Sequence, residues 1–522
     1  MAPIAEKTRP PHTPHAPAPA HANAHHGAEH VPAALSHAEI RSIIVGIMLA
    51  MFLGALDQTI VATALPTIGV HFGNLSELSW VVTAYLLTGT AVTPLYGKLS
   101  DVHGRRGMMM IAIGLFVAGS LACALAESMT WLVLARALQG LGGGGLMALA
   151  QTIIADIVSP RERGRYQGYI SAVFACSSVG GPVLGGFLTE ALDWSLIFWI
   201  NLPLGLAALA MTARTLKLVP YQPRRHRIDV LGAVIMVCAA VVLLLALSWG
   251  GRDYPWISGT IDGLLAVSLA LWVLFGWHLT RAEEPFLPLN VLGNRIVRNA
   301  AMTGACTMGT LVGMTIYVPL YFEARHQLSA SQSGLALIPQ MAATVLWSTI
   351  CGRLMMFLEH YKRVGLIGAV VAIAALLTLA AAPAALPLWA VLVLLFAVGS
   401  GLGTMFPLST VCLQNAVAPT QMGVATGAAN FFRALMSALA VAALGAIVLG
   451  TLSGETGAAV ETLAKSAAPE TVAAAFRYVF LGCTLIVCAG LGFLIAMEER
   501  PLRGPGSEAA TGPATPIPEE GL

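Results

Sequence analysis

The chain has 522 residues, 57% of them hydrophobic and only 10% charged, against about 25% charged in soluble globular domains. That composition excludes a soluble globular protein and reads as a polytopic membrane protein. Lys plus Arg total 28 and Asp plus Glu 26, so the net charge of +2 gives no reason to expect a nucleic-acid partner, and the placement of the basic residues carries the information.

Residues 1–41 are rich in Pro, Ala and His, lack the apolar stretch of a signal peptide, and are expected to form a disordered cytoplasmic tail. From there long apolar runs alternate with short polar connections, and a helix needs ~20 residues to cross the hydrocarbon. Fourteen runs are expected to span, at 42–65, 79–99, 107–126, 130–154, 166–190, 195–214, 230–249, 256–279, 297–321, 333–357, 363–382, 387–412, 423–450 and 474–497. With the N-terminus inside, the outward connections hold only Arg252, Arg325, Lys465 and Arg477, and the spans only Arg136 and Arg433; the other basic residues fall inside. The positive-inside rule then puts both termini in the cytoplasm with an even number of spans, and the expected location is the cytoplasmic (inner) membrane. The eight Cys lie mostly inside apolar runs, without metal-ligand spacing or a disulfide framework, and read as small core residues.

The first span carries Leu56-Asp57-Gln58-Thr59-Ile60-Val61-Ala62-Thr63-Ala64-Leu65-Pro66, in which Asp57 is the only ionisable side chain between Arg41 and His71. A charge at the bilayer centre costs at least ~2.5 kcal/mol, so it must face a bundle interior or a water-filled cavity and have a partner. The next connection, Gly97-Lys98-Leu99-Ser100-Asp101-Val102-His103-Gly104-Arg105-Arg106, is a tight turn with an acid among bases. Span four holds Arg136-Ala137-Leu138-Gln139-Gly140 and then a glycine run in an apolar helix, which favours close helix packing over a nucleotide loop. At ~1.5 Å per residue Asp57 lies about 12 Å and Arg136 about 9 Å below the outer surface. Their depths match, so Arg136 is the expected partner of Asp57. Span five presents Gly181-Pro182-Val183-Leu184-Gly185-Gly186, a smooth face that a Pro allows to bend. Span six opens with Trp194, Phe198 and Trp199 at the interface and continues Asn201-Leu202-Pro203-Leu204-Gly205. Asn201 either hydrogen-bonds substrate or bridges helices.

These stretches resemble the major facilitator superfamily, and the chain is similar to its fourteen-span drug:proton antiporter branch. Gly97, Leu99, Asp101, Gly104, Arg105 and Arg106 match the loop signature G-x-L-x-D-x-x-G-R-R; Arg136, Gln139 and Gly140 match R-x-x-Q-G. Gly168, Gly181, Pro182 and Gly185 fit the antiporter signature, with Ser177 in place of one glycine, and the Asp57 and Asn201 stretches match L-D-x-T-I-V-x-x-A-L-P and N-x-P-x-G. The resemblance implies an all-α fold of two six-helix bundles, 42–214 and 296–497, with a basic linker and two inserted helices at 215–295 and a disordered tail at 498–522. It also implies that Gly97, Asp101, Gly104, Arg105 and Arg106 form a cytoplasmic charge latch between the halves. In the second bundle the loop signature is worn, with Gly352 surviving and Met356 and Glu359 replacing its Asp and second Gly. Arg433 lies roughly 15 Å from the cytoplasmic start of its span, near the midplane.

No phosphate-binding loop and no common hydrolase motif occurs, so the expected role is not enzymatic, and the energy source without a cofactor is the proton gradient. Asp57 and Arg136 are the candidate proton-coupling pair. Gln58, Tyr85, Gln139, Asn201, Gln340, Asn430 and Arg433 are candidates for the polar lining of an apolar midplane cavity. The expected function is export of hydrophobic or amphipathic small molecules, such as drugs and toxic compounds, in exchange for protons. The expected partners are that substrate, protons and membrane lipid, with the protein a monomer. An importer or uniporter of a small metabolite, or a non-transporting membrane sensor, remains an alternative on the same fold.

Overall fold

The computed structural model describes residues 37–73, 78–218, 229–251, 253–283, 285, 287, 289–452 and 469–502; most of both expected tails and most of the basic linker lie outside them. Fourteen long helices run through the described residues: α1 (His37–Phe72), α2 (Leu78–His103), α3 (Arg105–Ala124), α4 (Met129–Ile157), α5 (Pro160–Ala191), α6 (Asn201–Thr215), α7 (Val230–Trp249), α8 (Gly259–Arg281), α9 (Arg295–His326), α10 (Ile338–Leu354), α11 (Lys362–Ala381), α12 (Leu388–Asn415), α13 (Met422–Leu452) and α14 (Pro469–Ala496). Each lies on one of the apolar runs, because in hydrocarbon a helix satisfies its backbone within one segment. Their ends are set by polar caps: Ser128 accepts from the Trp131 amide, Ser258 from Ile261, and Asn294 from Ile296 and Val297. Asp262 sits in the first turn of α8, where a carboxylate suits the helix dipole.

Thirteen helical segments among the described residues are long and apolar enough to cross a membrane, one fewer than the fourteen expected. The segment that makes the difference is α2. Its polarity is spent on protein contacts: Thr88 Oγ1 donates to the Ala137 carbonyl (2.9 Å) and Thr93 Oγ1 to that of Gly144 (3.0 Å), both on α4. Such a helix needs less apolar surface than one facing lipid.

Two groups of six helices follow from the packing. In the first, α1 lies against α5 and α6, α2 against α4, and α3 against α4 and α6; in the second, α9 lies against α12, α13 and α14, and α10 and α11 against α12. The hairpin α7–α8 rests on α2 and α13, with Ala233, Met236 and Phe275 packed against Val424 and Ala428.

The groups meet where α2 crosses α13 and α5 crosses α10. The contacts that join them lie toward the end that carries Arg105, Arg161 and Arg353, called here the basic end. Gly97 on α2 and Gly423 on α13 approach so closely that a Cβ on either would overlap the other's carbonyl oxygen. Nearby, Arg161 Nε donates to the Met356 carbonyl (2.6 Å), and Ser171 and Ser348 hydrogen-bond at 2.9 Å.

Candidate functional site

Asp57 is fully buried, and Arg136 reaches it: Nη1 lies 2.6 Å from Asp57 Oδ2. The carboxylate accepts two further hydrogen bonds at Oδ1, from Gln139 Nε2 (2.8 Å) and Asn201 Nδ2 (3.0 Å). Both amides also donate to Ser120 Oγ on α3, at 3.1 and 2.9 Å, and Ser120 in turn donates to the Phe198 carbonyl (3.2 Å). Two helices thus satisfy a carboxylate on α1 that would otherwise sit unsolvated, α4 with Arg136 and Gln139 and α6 with Asn201, and Ser120 of α3 holds the two amides in place.

The guanidinium is satisfied more than once. Nε donates to the Val81 carbonyl (3.1 Å), Nη1 donates also to Gln139 Oε1 (2.6 Å), and the Tyr85 ring lies 4.3 Å from Cζ. Cation–π contact and a neutral acceptor therefore hold Arg136 alongside its ion pair.

Gln139 and Asn201, expected along a substrate cavity, are instead committed to Asp57. The reason is chemical: a buried carboxylate needs donors, and Gln139 stands one turn along α4 from Arg136, on the same face. Tyr85 is buried over the arginine, while Gln58 is exposed and lies beside the Tyr85 hydroxyl. Ser120 had no signal in the sequence, being a lone hydroxyl in an apolar run.

The Gly-Pro face of α5 packs directly on this stretch of α1. Cβ atoms at Gly181 and Gly185 would collide with the hydroxyls of Thr59 and Thr63, whereas Pro182 and Gly186 turn away from that contact. Thr59 Oγ1 also donates to the Ser177 carbonyl (2.8 Å), so the position where serine replaces a signature glycine is used through its backbone.

At the basic end the loop residues do bridge the two groups. Gly104 holds φ of 90°, a conformation open to glycine, and this turns α2 into α3. Asp101 pairs with Arg105 (2.5 Å) and accepts from the amides of Gly423 (3.1 Å) and Val424 (3.0 Å) at the start of α13. A carboxylate there meets free amides and the positive end of the helix dipole. Burial pushes the Asp101 carboxyl above the usual carboxylate range, with Arg105 pulling it back. Arg105 Nε also binds Asp156 on α4 (2.7 Å), an acid the loop motif does not include, and Arg106 Nε is buried without a hydrogen-bond partner.

The second-bundle candidates do not share one lining. Gln340 is buried on α10 with Oε1 unpartnered. Asn430 and Arg433 on α13 face Gln151 of α4, whose Oε1 accepts from Asn430 Nδ2 (3.0 Å) and Arg433 Nη1 (3.4 Å). Gln151 went unnoticed in the sequence because nothing local says which face of α4 meets the other half.

A family model described as Major Facilitator Superfamily matches residues 47–441. The chain is 35% identical over 406 residues to the multidrug transporter protein MdtP of Bacillus subtilis, covering 78% of this chain and 75% of that protein. It is 32% identical over 411 residues to multidrug resistance protein 3 of the same organism, covering 78% and 80%. Among solved structures, the human organic anion transporter MFSD10 superposes with a TM-score of 0.59 at 16% identity, covering 86% of this chain and 99% of that one, a likeness of fold alone.

Proposed function

This chain belongs to the major facilitator superfamily, and from that premise we propose that it is a proton-coupled antiporter exporting hydrophobic or amphipathic small molecules across the cytoplasmic membrane. The names of its relatives support drug efflux. The observation that carries proton coupling is the fully buried Asp57 with its Arg136 partner, in a bundle where an intramembrane acid is a functional group by default.

Protonation of Asp57 from outside removes the charge that Arg136 neutralises. The guanidinium is not then stranded, since Gln139 Oε1, the Val81 carbonyl and the Tyr85 ring still hold it. Gln139 is thus a standby acceptor that lets the carboxyl change charge without leaving a buried cation bare. Loosening around Asp57 acts on α1 two residues from Thr59, against which Gly181 of α5 packs, and α5 carries the contact with α10. Substrate binding and proton release would then alternate as the basic ends, assigned to the cytoplasm, part and close.

The test is dye movement in inverted membrane vesicles carrying the full chain. Dye accumulation that builds with an inward-acid gradient and collapses with a protonophore is expected. Dye movement unaffected by the gradient would sink proton coupling, and movement only in the opposite direction would make the protein an importer.

A further inference from the structure

Arg433 is, like Arg136, an arginine buried within an expected span, and it differs from Arg136 in having no carboxylate partner among the described residues. It is 3% exposed and makes no ion pair among the described residues. All its acceptors are neutral: Thr410 Oγ1 (2.7 Å) and Ser409 Oγ (3.5 Å) for Nη2, Asn430 Oδ1 (3.2 Å) and Gln151 Oε1 (3.4 Å) for Nη1. Three of these four exceed the 2.7–2.9 Å of a charge-assisted bond. Nε has no hydrogen-bond partner among the described residues. A guanidinium does not shed its proton to escape such a place, so the charge stays and its complement is missing.

The group lies directly against α9. A Cβ at Gly304 of α9 would stand 2.9 Å from Arg433 Nε, and the Phe406 ring lies 4.8 Å from Cζ, an apolar surface beside the cation. Gln151, the acceptor from the other bundle, is the partner that parting of the basic ends would withdraw. Nη1 then keeps only Asn430 Oδ1, next to an Nε without a hydrogen-bond partner among the described residues, on the side from which a cytoplasmic compound would enter.

We propose that Arg433 is an anion-binding subsite that receives the carboxylate of an amphipathic substrate when the basic ends are apart, with Phe406 against the substrate's apolar body. When the ends close, Gln151 Oε1 returns to Nη1 and competes with the carboxylate, which favours release to the other side. The inference rests on the export reading above and adds to it a class of substrates that carry an anionic group.

The test compares accumulation of pyrenebutyrate and of ethidium in energised inverted vesicles containing the wild-type chain, Arg433→Gln or Arg433→Lys, at matched protein levels. Wild type is expected to take up both. Arg433→Gln should lose pyrenebutyrate uptake about tenfold, the worth of one charge-assisted contact, and keep ethidium uptake. Arg433→Lys should fall between, since a point charge replaces a fork. Equal loss of both compounds, or loss of neither, overturns the subsite. Should Arg433→Gln fail to reach the membrane, an unchanged ratio of pyrenebutyrate to ethidium in Arg433→Lys overturns it. Wild type carrying ethidium but not pyrenebutyrate overturns the subsite and leaves export standing; wild type carrying neither counts against the export reading itself.

Discussion

Each of the two six-helix groups buries one arginine within its expected spans, Arg136 and Arg433, and the two are treated in opposite ways. In the first, Arg136 has a carboxylate at 2.6 Å, inside the bundle and away from the other half. In the second, Arg433 has neutral acceptors only, one of them from the other half. A paired charge is switched by a proton arriving at its acid. An unpaired guanidinium is switched only by an anion arriving from outside the protein. In the function proposed here, energy coupling falls to the first group and substrate contact to the second.

The comparison breaks first at Arg136. Arg136→Ala strands a buried carboxylate and should cost about 3–5 kcal/mol, whereas Arg433→Gln strands none and should cost far less. Thermal melting of the detergent-purified variants checks this, and equal losses would erase the contrast. Restoring neutrality with Asp57→Asn in the Arg136→Gln background should recover part of the lost stability, since no net charge is then left buried.

A finer contrast lies in the amides. Asn201→Ala removes a donor from an ionised carboxylate and should cost about 1.5–3 kcal/mol, while Asn430→Ala removes a longer contact to Arg433 and should cost about 1 kcal/mol. The same melting series resolves the two. A larger loss at Asn430 would place the more demanding charge in the second group.

A further modest effect is expected at the basic end. Asp101→Ala deletes the contacts to the α13 amides and to Arg105, worth about 1–2 kcal/mol in favour of the closed arrangement. Protease access to the connection after α2 should rise in that variant with the fold intact. Unchanged access and transport would remove the latch.

Much of this was legible in the chain. The fourteen apolar runs locate the fourteen long helices, because hydrocarbon enforces helix wherever a segment is long enough. The count of spans by apolarity falls one short at α2, where threonines serve α4. Depth along two antiparallel helices sufficed to pair Asp57 with Arg136. Gln139 and Asn201 read from sequence as cavity residues because an amide in a span looks the same whether it faces a substrate or a carboxylate. Ser120, Gln151 and Asp156 carry no local pattern, and their roles follow only from which helices meet. In the worn second loop, Gly352 survives for a packing reason, lying against Gly164 across the junction of α5 and α10.

The central claim is that Asp57 carries the proton, and the most direct measurement is substrate-linked proton movement in proteoliposomes with a pH dye inside. Wild type should move protons when a transported dye is added. Asp57→Asn, inserted and folded, should move none and lose gradient-driven export, with Arg136 still held by Gln139 and the Val81 carbonyl. Proton movement and export at wild-type levels in Asp57→Asn would contradict the account.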